Sequence, residues 1–183
     1  MEVMGGFIVG FDSDPEDIFD RQVEFIRESA IPMAMVGLLS ALPGTQLWRR
    51  LEREGRLVAD STGNNTDGTL NFVPRMDATR LVEGYKRVLR TIYSPAEYYQ
   101  RVLGALSRIG TGAPSVRGGG IGENLAAFFR VTVALGVRDG ARMEFWRFLR
   151  RVVLHHRRRF SHAVTLAAMG YHFRKHTDAC CGD

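Results

Sequence analysis

The stretch Val3-Met4-Gly5-Gly6-Phe7-Ile8-Val9-Gly10-Phe11 decides how this chain is read. It is a continuous apolar run with three glycines, the pattern of a strand buried on both faces of a parallel sheet. Asp12-Ser13-Asp14-Pro15-Glu16-Asp17 follows, with a capping residue, a proline for a first helical turn and acids for the positive end of a helix. Ile18, Phe19, Val23, Phe25 and Ile26 then supply the apolar stripe of a helix ending near Ser29. Beyond Pro32, residues Met33 to Leu39 read as a second buried strand. A Pro43-Gly44-Thr45 turn and a short helix through Leu47, Trp48 and Leu51 follow, stopped at Gly55.

Strand, helix, strand, helix with short links is a βαβα unit, whose strands should be parallel and joined by a right-handed crossover. Two strands cannot bury both faces of a sheet, so further elements should flank them. From Pro74 the periodicity turns helical. Asp77-Ala78-Thr79 caps a helix with Leu81, Tyr85, Val88, Leu89 and Ile92, and Ser94-Pro95 opens another with Tyr98, Tyr99, Val102, Leu103 and Leu106. A glycine-rich loop is expected at 110–122, then helices over 123–136, 139–158 and 160–176. The fold class is thus α/β, mostly α. Residues 1–58 hold the βαβα unit, 59–76 a linker centred on the polar, glycine-rich 59–70, and 77–183 a helical domain.

Composition narrows the class. The chain of 183 residues is 45% hydrophobic and 25% charged, as a globular protein should be. No apolar run reaches the ~18 residues of a membrane span, and no basic segment opens a secretory signal. The only cysteines, Cys180 and Cys181, are adjacent, which excludes a disulfide-stapled fold and points to a reducing cytoplasm. Net charge divides the chain: residues 1–60 carry 11 acidic and 6 basic side chains, residues 61–183 carry 9 and 19. All basic residues but Lys86 and Lys175 are arginine.

The order Gly6-Phe7-Ile8-Val9-Gly10, acidic turn, helix, strand, Leu42-Pro43-Gly44-Thr45 and Leu47-Trp48-Arg49-Arg50-Leu51 resembles the closing strands of the radical S-adenosylmethionine barrel. Gly63-Asn64-Asn65-Thr66, Asn71-Phe72-Val73-Pro74, Leu81-Val82-Glu83-Gly84-Tyr85 and Ile92-Tyr93-Ser94-Pro95-Ala96-Glu97-Tyr98-Tyr99 resemble the helical C-terminal extension (DUF4070-like) of one cobalamin-binding subgroup, which includes relatives of the hopanoid methylases. Met169-Gly170-Tyr171-His172-Phe173 matches it more loosely. The resemblance implies S-adenosylmethionine and a 4Fe–4S cluster, with cobalamin as a further cofactor, in the full-length family, and a strand lying beside the adenine of S-adenosylmethionine. Gly6, Ile8 and Gly10 are the cofactor-contact candidates carried over. Glycine lets a flat ring approach the backbone, and Ile8 offers an apolar wall. Asp12-Ser13-Asp14-Pro15-Glu16 stands where many relatives have Pro-Gly-Glu-Thr, so no glutamate contact is carried over to Ser13. The Cys-x3-Cys-x2-Cys that holds the family's cluster is absent, as is a cobalamin-binding Asp-x-His-x-x-Gly. The chain is therefore expected to be a C-terminal portion that closes the barrel and shapes the substrate side. By itself it should be inactive and bind none of these cofactors, its partners being the N-terminal barrel and cobalamin-type domain of the same enzyme.

Other groupings were weighed against plainer roles. Asp12, Asp14, Glu16 and Asp17 are read as helix caps rather than a metal site. His172, His176 and Cys180, at i, i+4 and i+8, would share a helix face suited to zinc but lack a fourth ligand. Tyr85, Tyr93, Tyr98, Tyr99, Phe128 and Phe129 are read as core. Residues 141–175 are strongly basic, Glu144 being the only acid there, and Phe145, Trp146, Phe148 and Leu149 interleave with the arginines as in an interfacial helix. The alternative function is accordingly a non-enzymatic helical binding module. Its basic face would meet anionic lipid in peripheral membrane contact or, less favoured because no nucleic-acid motif accompanies the charge, nucleic acid.

Overall fold

A computed structural model describes residues 3–60, 68–108 and 128–181. The first apolar run forms strand β1 (Met4–Val9) and the second strand β2 (Met33–Leu38), joined by helix α1 (Ile18–Ser29). The strands pair in parallel from Met4 opposite Met33 to Val9 opposite Leu38, as the crossover requires. Ala30, in the left-handed conformation at φ 52°, ends α1 by donating its N–H to the Arg27 carbonyl, and Arg108 donates to the Ser29 and Glu28 carbonyls. Helix α2 (Gln46–Arg53) begins where the Thr45 hydroxyl accepts from the Trp48 N–H, and Gly55 follows it at φ +66°.

Helix α3 (Ala78–Ile92) is capped by the Asp77 carboxylate, which accepts from the Arg80 N–H. Helix α4 (Pro95–Arg108) opens on its proline. The two shorter signals therefore acted as expected. Residues 128–133 are helical and run into a π-helical turn, Ala134–Arg138, before α5 (Arg142–His155). A 3-10 turn at Arg157–Arg159 leads into α6 (Phe160–Cys181), longer than its expected span. The expected loop at 110–122, the helix start at 123–127 and residues 61–67 of the linker lie outside the described residues. Among the described residues no helix is long and apolar enough to cross a membrane.

All the helices that cover the sheet lie on one side of it. Phe7 and Val9, with Ala34, Val36 and Leu38, alternate inward and meet α1 and α3. Phe19 of α1 sits where Gly84 leaves α3 without a side chain, so the two helices approach closely there. The same core continues through Tyr93, Tyr98, Tyr99, Phe145, Phe148 and Leu166 of the helical region. Tyr99 stacks on Phe148 with ring centroids 4.6 Å apart, and the buried Tyr98 hydroxyl donates to the Leu166 carbonyl at 2.7 Å. Phe128 packs on Phe160, whereas Phe129, expected in the core, is exposed because its neighbour takes the inward position.

Burial of β1 on both faces is not observed. Met4, Gly6 and Ile8 face outward with Met35, and Ile8 is 42% and Met35 49% exposed. Met35 borders a cavity shared with α6. Strand β2 is more enclosed, since Met33 and Gly37 of the same alternate set are buried. Phe25, assigned to the inward stripe of α1, lies at its margin, edge-on to Phe7 at 5.9 Å.

Candidate cofactor-facing site

The outward sheet face and the loops at the carboxyl ends of the two strands form the candidate site, the edge at which parallel α/β folds place their chemistry. Gly6 and Ile8 lie side by side on this face, next to Met35 and Gly37 of β2. A Cβ added at Gly6 would meet no atom within 4 Å, so the backbone there is open to a flat group. Gly10 is placed differently. It is buried at the strand end with φ +111°, and an added Cβ would lie 3.2 Å from Leu81 and 3.4 Å from Leu39. Its backbone geometry and helix packing account for the glycine. The structure thus brings Gly6 and Ile8 together and sets Gly10 at the edge.

Side chains pin both loops at that edge. The Asp14 carboxylate accepts from the Gly10 and Phe11 N–H groups at 2.8 and 3.0 Å. After β2, the buried Asn71 side chain clasps Ala41 from both sides. It accepts the Ala41 N–H at 3.0 Å and donates to the Ala41 carbonyl at 2.8 Å. Phe72 packs with Leu39, Ala41 and Leu51 in a small second core. The Asn71-to-Pro74 segment therefore acts as a brace beneath the loop preceding α2. Its sequence marked it only by resemblance, because a clasp between residues thirty positions apart has no local signature.

The acidic run does not cap α1. Asp17 stands at the N-cap without a side-chain bond to the helix and pairs instead with Arg21 at 2.8 Å. Glu16 pairs with Arg80 at 3.1 Å. Asp12 accepts two bonds from Arg56, at 2.7 and 2.9 Å, and one from Arg50 at 3.0 Å. Arginine side chains, local for Asp17 and distant for Glu16 and Asp12, outcompeted the local backbone for these carboxylates, because charge-assisted bonds are the stronger choice. The Arg56 hydrogen bonds hold the Asp12 carboxyl below its ordinary range, although burial opposes this. Bonding to Asp12 and Glu54 raises Arg56 in turn. Asp12 is thus favoured in its ionised form and anchors the β1 loop to α2.

A cavity of about 120 Å³ lies along β2, lined by Ala34, Met35, Val36, Tyr93, His172 and His176 among others. The Tyr93 hydroxyl donates to the Ala34 carbonyl at 2.7 Å, and burial pushes its pKa up to about 12. Helix α6 is continuous from His172 through Cys181, but the Cys180 side chain lies outside the described residues. Among the described residues no group of three or more His, Cys, Asp or Glu side chains is placed to hold a metal ion. Arg101 is buried, donates from Nε to the Ile31 carbonyl at 3.2 Å and lies 5.6 Å from the Tyr98 ring. Desolvation lowers its pKa.

The interfacial pattern expected of α5 is also revised. Phe145, Phe148 and Leu149 are core residues, leaving Trp146 as the member of that quartet at the surface.

Residues 45–183 match a family described as a domain of unknown function, DUF4070. Over 179 residues the chain is 32% identical to an uncharacterized methyltransferase of Synechocystis sp., covering 96% of this chain and 33% of that protein. It is 31% identical over 160 residues to the hopanoid C-2 methylase of Rhodopseudomonas palustris, covering 84% and 29%. A third relative is the bacteriochlorophyllide d C-12(1)-methyltransferase of Chlorobaculum tepidum, 26% identical over 102 residues, covering 56% and 22%. The chain spans a third or less of the length of these relatives. No solved structure matches it.

Proposed function

The chain belongs to the DUF4070 family, within the cobalamin-binding radical S-adenosylmethionine enzymes, and from that premise we propose that it serves as the C-terminal portion of a methylase of this kind. In this reading residues 1–58 supply the last strands of a partial (β/α) barrel, 59–76 link them, and 77–183 form the extension that shapes the substrate side. The observation that carries it is the one-sided sheet. Helices cover the inner face, while Gly6, Ile8 and Met35 are exposed on the face that a barrel would turn toward its cofactor.

The residues fit one implied group and not another. Two adjacent cysteines cannot supply the three spaced thiolates of a 4Fe–4S cluster, so no chemistry of this chain runs through one. The space beside Gly6 and the apolar Ile8 suit the flat ring of S-adenosylmethionine. When bound in such an enzyme, that cofactor supplies the reactive group. The chain's own contribution is positional. Gly6 admits the ring, Ile8 walls it, Asp14 and Asn71 fix the loops at the strand ends, and α1 and α3 keep water from the sheet's inner face. The cluster and the cobalamin belong to the N-terminal barrel and cobalamin-type domain, which are the proposed partners. The chain by itself is inactive.

The test replaces the corresponding third of the Synechocystis relative with this chain and measures anaerobic S-adenosylmethionine cleavage. The chimera should cleave it. Ile8→Glu and Met35→Glu should abolish cleavage while changing the melting of the isolated chain little, since both side chains are exposed. Full cleavage by both variants in a folded, cluster-loaded chimera would refute the assignment of this face.

A further inference from the structure

Helix α5 has two apolar faces, and the fold uses only one. Phe145, Phe148, Leu149 and Val152 point into the core. Met143, Trp146, Val153 and Leu154 point outward, with Met143 62%, Trp146 45% and Leu154 65% exposed. At 3.6 residues per turn these four fall on one arc, interleaved with the exposed Arg142, Arg147, Arg150 and Arg151. Arg157 and Arg158, also exposed, extend the arc past the helix end. Trp146 donates its indole N–H to the Gly136 carbonyl at 3.0 Å, which fixes the ring beside the exposed Val137.

The charges on this arc are largely unanswered. Glu144 pairs with Arg147 at 2.6 Å. Among the described residues Arg142, Arg150, Arg151, Arg157 and Arg158 have no acidic partner. Because the Tyr99–Phe148 stack anchors the inner face, the helix cannot roll to hide the outer one.

We propose that the outward face of α5, continued by Arg157 and Arg158, docks on an anionic lipid surface. Lipid answers both halves of the pattern. Phosphate headgroups meet arginine, whose apolar stem lies along the acyl boundary, and tryptophan sits at headgroup level. Met143, Val153 and Leu154 gain only if they leave water for hydrocarbon. A nucleic acid would take the charge and leave these aliphatic side chains exposed. The proposal does not depend on the cofactor-facing reading of the sheet.

The full chain is to be floated with vesicles of phosphatidylglycerol and phosphatidylcholine, and with phosphatidylcholine alone. Binding should require phosphatidylglycerol and weaken as salt rises. Arg150→Glu with Arg151→Glu should lower partitioning by about tenfold or more. Met143→Ser with Leu154→Ser should weaken it comparably, and Arg49→Glu with Arg53→Glu on α2 should not change it. In a Trp48→Phe background the remaining Trp146 emission should shift to the blue on binding. The reversed arginines, Met143 and Leu154 are all exposed and Trp48 is half-buried, so circular dichroism should be unaltered by the surface changes and is the check on the Trp48→Phe background. No binding at low salt would overturn the proposal, as would equal loss from the α2 reversals. Binding lost on charge reversal but indifferent to Met143→Ser with Leu154→Ser would reassign the arc to polyanions such as nucleic acid.

Discussion

Val36 and Met35 are consecutive residues of β2, and they belong to opposite sides of the molecule. Val36 is packed with Phe7 and Val9 beneath α1 and α3, whereas Met35 lies outside beside Gly6. The inner face of the sheet is what this chain stabilises itself with. The outer face adds almost nothing to that stability, although its residues are as apolar as their neighbours. A surface that a fold does not need, yet keeps apolar and open, is available for a ligand or for another part of a larger protein.

The sharpest way to break this contrast is to place a carboxylate on each side. Val36→Asp should abolish cooperative unfolding of the isolated chain, because an unpaired buried charge costs about 4 kcal/mol or more. Met35→Asp should shift stability by less than about 1 kcal/mol. Thermal melts followed by circular dichroism decide it, and similar losses at both positions would end the two-face description. Truncation gives a milder version. Leu81→Ala, at a fully buried site touching Gly10, should cost about 3 kcal/mol. Ile8→Ala should cost less than about 0.5 kcal/mol.

Asp12 tests the edge where the faces meet. Asp12→Asn should destabilise by roughly 2 kcal/mol, since Arg56 would lose its charge-assisted partner. The pairing lowers the folded-state pKa beneath the ordinary 3.8, so the contribution is complete above that value. It should fade as pH falls through the lowered one. Denaturant titrations from neutral to acid pH should show this loss in the parent and a smaller one in the variant. A smaller loss than at Asp12 is expected at Tyr98→Phe. That change removes the bond to the Leu166 carbonyl and should cost about 1 kcal/mol, read from the denaturation midpoint.

Much of the fold was legible because its signals are local. The apolar run at Met4–Val9, Asp77 before α3 and Ser94-Pro95 before α4 each act within a few residues. The open face was not legible, because Ile8 and Val9 are both aliphatic and only the placement of the covering helices separates them. The same limit misplaced Phe145, Phe148 and Leu149. A basic, apolar-rich helix reads alike whether its aromatics face a core or a surface, and α5 has apolar residues on both. Asp12 and Asp14 looked like caps since capping is local, whereas Arg56 reached Asp12 from 44 positions away. Of the candidate site residues, Gly6 and Ile8 were carried over from the resemblance of their strand to the family's. Asn71 and Asp14, which hold the surrounding loops, bond to backbone groups and have no pattern of their own.

The dependence of the sheet on α3 has a consequence for the order of events during synthesis. β1, α1 and β2 leave the ribosome first, but α1 alone covers only part of the inner face of their sheet until α3 follows. The Tyr93 hydroxyl that closes on the Ala34 carbonyl comes later still. At about 5–20 residues per second, the stretch from Leu38 to Tyr93 takes several seconds to appear. Throughout that interval the outer face is wet, the inner face is only partly covered and the sheet edges are unpaired, the condition that favours pairing with a neighbouring nascent chain. A ribosome stalled between α2 and α3 would hold the molecule at its most adhesive stage. Messages that pause there should yield more insoluble product than messages that pause after Ile92.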